Sequence, residues 1–94
     1  MKIDQCAVRG LVRGRVQGVF YRASFQHEAR SRELAGWVRN LTDGSVEFLV
    51  QGDAKLLQQQ LKWAQEGPRG ARVLELEIQE VPADPGLTSF EIRH

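Results

Sequence analysis

Residues 14–22 read GRVQGVFYR, and their types suit one piece of chemistry above others, the capture of an anion. Gly14 and Gly18 permit dihedrals that turn successive N–H groups to one side. Arg22 then stands where a helix can begin, so backbone donors, the partial charge of a helix terminus and a guanidinium could converge. Arginine suits a phosphate because its planar fork grips two oxygens and stays charged at any working pH. A second reading needs no ligand: two glycines reverse the chain between strand and helix, and Arg22 is a solvated residue at the helix start. Residue types leave both open. Asn40, at the end of GWVRN, has the same ambiguity. Taken alone it reads as a local backbone hydrogen-bonder ahead of a Thr-Asp-Gly turn, and only the glycine loop beside it gives reason to look for more.

The familiar nucleotide-binding patterns are absent. Glycines at 10, 14 and 18 do not make G-x-G-x-x-G, and no lysine between Lys2 and Lys55 completes G-x-x-x-x-G-K-[ST]. Cys6 lies ahead of the glycine loop within a strand pattern and reads as a small core residue rather than a phosphatase nucleophile. His27 and His94 have no neighbouring Cys or paired carboxylates, so both read as surface residues and no metal is expected. Glu75 and Glu77 share one strand face and read as solvated. Arg13 and Arg15 could steer anions, surface solubility being the simpler account. Gln17 is expected to shape the loop without touching substrate, and Phe20 and Tyr21 to be partly buried supports.

Several short elements must position these residues. Residues 5–13 alternate, with Cys6, Val8 and Val12 on one face and Gly10 at an inward position where something packs closely. Residues 22–35 predict a helix with Gly36 as its C′ residue, and Arg32 falls on its apolar face, where its stem must snorkel. Residues 37–41 and 46–51 predict a hairpin around Asp43-Gly44. Asp53 offers an N-cap to a second helix with Leu57, Leu61 and Ala64 on one side, closed by Gly67-Pro68. Residues 72–81 and the tail 87–93 complete the set as a strand split in two. The order predicts an α+β, ferredoxin-like βαββαβ sandwich: one antiparallel sheet with both helices on one face, in a single domain over 1–94. That architecture serves many functions, so the site must decide.

Composition narrows the setting. No apolar run approaches the roughly 20 residues of a membrane-spanning helix, the first residues lack a secretory apolar core, and a lone cysteine forms no internal disulfide, so a cytoplasmic protein is expected. The net charge is only +1, but residues 1–44 carry eight Lys or Arg against four acids while residues 45–94 carry five against eight. The positive bias surrounds the glycine loop. It suits a small anion better than nucleic acid, which would call for a basic stripe.

The stretch Gly14-Arg15-Val16-Gln17-Gly18-Val19-Phe20-Tyr21-Arg22, with Gly36-Trp37-Val38-Arg39-Asn40 and Asp43-Gly44-Ser45-Val46-Glu47, resembles the signature of the acylphosphatase family in order and spacing. The likeness continues through Trp63, Gly67-Pro68, Ala71-x-Val73 and Phe90-x-Ile92, nearly the whole chain. It implies a metal-free, cofactor-free hydrolase that splits acyl phosphates into a carboxylate and inorganic phosphate. By matched position, it implies that Arg22 binds the phosphoryl group, that the N–H groups of Arg15, Val16, Gln17, Gly18, Val19, Phe20 and Tyr21 surround its oxygens, and that Asn40 positions the attacking water. The expected partners are acyl phosphate and phosphate, with no nucleic acid or membrane, for a monomer. An RNA-binding sheet is the rival, but the K/R-G-F/Y-rich strand it needs is missing. A carbamoyl-phosphate-processing or interaction domain is disfavoured on the expectation that the 94 residues stand alone.

Overall fold

The computed structural model describes residues 5–94; the reading of the first residues as free of a secretory segment falls partly on residues 1–4, outside the described residues. Five strands and two helices follow in the order β1 (Gln5–Arg15), α1 (Tyr21–Ser31), β2 (Ala35–Asn40), β3 (Val46–Asp53), α2 (Ala54–Glu66), β4 (Arg72–Val81) and β5 (Phe90–Arg93). The sheet order is β4-β1-β3-β2-β5. Both helices pack on one face. Phe25 of α1 is central to the core, its ring 4.7 Å from Phe48, 5.4 Å from Phe90 and 5.8 Å from Trp63 between centroids. Gly10 is where that packing is tightest, since a Cβ there would lie 2.1 Å from the Phe48 ring.

Two expectations are corrected. The sheet is mixed, not antiparallel, because β5 runs parallel to β2. β4 lies antiparallel to β1, and the segment 82–89 reverses direction once more before reaching the opposite edge, which leaves β5 running with β2. Gln51 fastens that crossing segment with a pair of hydrogen bonds, donating to the Asp84 carbonyl at 2.8 Å and accepting from the Asp84 N–H at 2.7 Å.

The first helix ends earlier than its composition predicts. Glu33, at φ 56°, takes the left-handed role expected of Gly36, and the Leu34 N–H bonds back to the Ala29 carbonyl at 2.9 Å. Leu34 is thereby buried after the helix rather than on it, and Gly36 is already in β2. Arg32 does not burden the apolar face: its guanidinium donates to Glu28 Oε1 at 3.0 Å and to Oε1 of the buried Gln60 at 2.9 Å. The Asp53 cap of α2 forms as expected, accepting from the N–H groups of Lys55 and Leu56.

The face without helices carries its own charged cluster. Glu47, only 8% exposed at its side chain, accepts from Arg9 Nε at 2.7 Å and from Arg39 Nε at 2.8 Å. Burial pushes its carboxyl up, but the bonds and charges of Arg9 and Arg39 outweigh that and hold it below its ordinary 4.5. A carboxyl depressed in the folded state stabilises the fold above its unfolded value, and the benefit is lost as pH falls through the folded value. Denaturation curves measured between neutral and acid pH should therefore show stability declining below about pH 4.5. Glu47→Gln should flatten part of that decline and cost about 1–3 kcal/mol at neutral pH. An unchanged acid slope would show that other carboxyls control it.

Candidate active site

The cleft that gathers the sequence-predicted residues forms where β1 hands over to α1. Gly14, at φ 132°, marks a register shift between β1 and β4, and a Cβ there would meet the Arg72 carbonyl oxygen at 2.1 Å. The strand thus continues to Arg15 before the chain leaves the sheet. Gly18 (φ 75°) and Phe20 (φ 62°) are both left-handed, with Val19 at an ordinary φ between them. Such alternation aims neighbouring N–H groups toward one side. No N–H of Gln17, Gly18, Val19 or Phe20 has a backbone acceptor among the described residues. The first-turn N–H groups of α1 follow directly, adding their free donors and partial positive charge.

The opposite wall comes from the sheet. Gly36, Val38 and Asn40 alternate onto the helix-bearing face of β2, and the parallel register Val38↔Ile92 brings the matching face of β5 alongside. The result is a cleft of about 390 Å³ bordered by Val16, Gln17, Gly18, Phe20, Arg22 and Asn40, with Tyr21, Ala23, Ile92 and His94 completing it. Most of the expected residues meet there. Arg15 and Val19 do not border it: Arg15 is exposed at the end of β1, and Val19 packs against the core.

Two groups in this cleft are unmatched. Arg22, the arginine that borders the cleft, has no ion-pair partner among the described residues. Asn40 Oδ1 is buried and lacks a hydrogen-bond partner. Buried acceptors are ordinarily satisfied, so an orphan at a cleft wall calls for a donor from outside the chain. Neither Asp nor Glu borders the cleft among the described residues.

Gln17 shapes the loop as expected. Its side-chain amide donates to the carbonyls of Leu41 and Ser45, both at 2.8 Å, tying the loop to the two ends of the turn that follows Asn40. Loop and Asn40 are thus held in one frame. Tyr21 is the support predicted for it, fully buried, its hydroxyl donating at 2.7 Å to the Ala64 carbonyl in the last turn of α2. Burial pushes its phenol up, so it stays protonated at physiological pH. Phe20 departs from the same expectation: it is 81% exposed, because its left-handed backbone turns the ring outward just before the helix begins. Arg13 is engaged by Glu77 and Glu75 on the open face, which leaves it poorly placed to steer anions.

Sequence reasoning missed Ala23 and Ile92 as lining residues and read His94 only as a surface residue. His94 is exposed, but it stands at the cleft. No group of three or more His, Cys, Asp or Glu that could hold a metal occurs among the described residues, and no helix among them is long and apolar enough to cross a membrane.

The family model described as acylphosphatase matches residues 8–92. The acylphosphatase of Marinobacter nauticus is 48% identical over 84 residues, covering 89% of this chain and 91% of the relative. That of Rubrobacter xylanophilus is 46% identical over 86 residues, covering 92% and 78% respectively. Among solved structures, the acylphosphatase of Bacillus subtilis superposes with a TM-score of 0.91 at 37% identity, covering 95% of this chain and 99% of that one.

Proposed function

The chain belongs to the acylphosphatase family, and from that premise we propose that residues 1–94 act as one hydrolytic domain in which the glycine loop and Arg22 hold the phosphoryl group of an acyl phosphate while Asn40 orients the attacking water. The observation that carries this reading is the meeting, on one cleft, of an unpaired guanidinium and an orphaned amide oxygen. They call for complementary partners. A phosphoryl group offers oxygens to Arg22 and to the acceptor-free N–H groups of Gln17, Gly18, Val19 and Phe20, and a water offers an O–H to Asn40 Oδ1.

In the proposed reaction the water oxygen forms a bond to phosphorus as the bond from phosphorus to the acyl oxygen breaks. The carboxylate leaves with that electron pair. It is a good leaving group, so no strong acid is needed beside it. Charge spread over the equatorial oxygens of phosphorus in the transition state is met by donors already oriented by the loop. Asn40 aligns the water but cannot take its proton, and with no Asp or Glu side chain on the cleft among the described residues, the proton passes to a phosphoryl oxygen of the substrate. The chemistry proposed needs neither metal nor cofactor.

The test is hydrolysis of an aromatic acyl phosphate by the purified chain in the presence of EDTA. Release of carboxylate and inorganic phosphate, competitively inhibited by added phosphate or sulfate, is the expected result. Loss of activity with EDTA, or no hydrolysis at all, would sink the proposal.

A further inference from the structure

We propose that the ring of Phe20 contacts the acyl group and makes this cleft prefer acyl phosphates with an aromatic or extended apolar acyl part, an inference that rests on the phosphate-cleft reading above. An acyl phosphate has a constant end and a variable one. The constant phosphoryl end is served by the loop donors and Arg22, none of which distinguishes one acyl group from another. Discrimination must come from a side chain at the opening through which the acyl part projects.

Phe20 stands there. It borders the cleft together with Arg22, only two residues along the chain, yet the residue is 81% exposed. Its conformation makes that exposure notable: φ 62° and ψ 25° place a bulky non-glycine residue in the left-handed region, which such residues avoid and which is enriched at functional sites. The ring does not secure the fold in return, for Phe25, Phe48 and Phe90 are buried while Phe20 is not. Ile92 contributes further apolar surface to the same cleft. Leu74 and Ile78, the other large exposed apolar side chains among the described residues, lie on β4 and do not border it. A phenyl or long alkyl acyl group would cover the Phe20 ring, whereas the single methyl of acetyl phosphate covers little of it.

The experiment compares kcat/KM for benzoyl phosphate and acetyl phosphate in the wild type, Phe20→Leu, Phe20→Ala and Phe20→Gly. The benzoyl-to-acetyl ratio should fall about 3- to 10-fold in Phe20→Ala, with leucine intermediate. Phe20→Gly removes the ring while relaxing the left-handed backbone, and its ratio should match that of alanine. Equal losses for both substrates, or no change in either, would overturn the inference while leaving the phosphate-cleft reading intact. A wild type that hydrolyses neither substrate would remove both.

Discussion

Replacing Arg22 by glutamine is expected to lower turnover of an acyl phosphate by about 100–1,000-fold and to weaken the binding of inorganic phosphate in parallel. Glutamine keeps much of the stem and one donor pair but lacks the charge and the second arm of the guanidinium fork. Since Arg22 has no ion-pair partner among the described residues, the substitution breaks no internal salt bridge, and the variant should fold. The loss is therefore chemical. Circular dichroism and thermal melts of the variant beside the wild type separate it from unfolding. A variant with near wild-type turnover would move the phosphoryl group away from Arg22.

Asn40→Ala should produce a loss of similar size, about 100–1,000-fold in kcat, through a different step. Alanine removes the orphaned Oδ1, so no acceptor remains to align the water, but it leaves the loop and Arg22 untouched. Phosphate affinity should consequently change little. A mutation that lowers kcat without weakening ground-state binding identifies an interaction used after the substrate is held. Removing Oδ1 also deletes a buried acceptor without a partner, so stability should hold or rise slightly. Should Asn40→Ala weaken phosphate binding as much as Arg22→Gln does, Asn40 would belong to the phosphate cradle instead.

Much of this arrangement is legible in the letters. Alternation in residues 5–13 and 72–81, the Asp43-Gly44 turn and the Asp53 cap are local signals, each set by residues close in sequence, and the elements stand where those signals put them. The direction of β5 is not local. It depends on how residues 82–89 cross the sheet, and that same crossing brings Ile92 and His94 to the cleft. The end of α1 was obscured because Glu33, rather than a glycine, takes the left-handed turn. Phe20 was obscured for the same reason. A left-handed residue is easily read at Gly18, but at a phenylalanine nothing in the residue type announces it, and the outward ring follows from the backbone alone. Asn40 and Arg22 could be paired in advance through the joint pattern of GRVQGVFYR and GWVRN. Their meeting requires only that the end of β2 lie beside the start of α1, and the Gln17 bonds to Leu41 and Ser45 secure that.

Direct titration of inorganic phosphate into the wild type, Arg22→Gln and Asn40→Ala, followed by backbone amide chemical shifts, tests the central claim most closely because it needs no turnover. In the wild type the largest shifts should fall on residues 15–22. Asn40→Ala should reproduce them at similar phosphate concentration, and Arg22→Gln should require at least about tenfold more. Shifts centred elsewhere, or an Arg22→Gln protein that titrates like the wild type, would contradict the account.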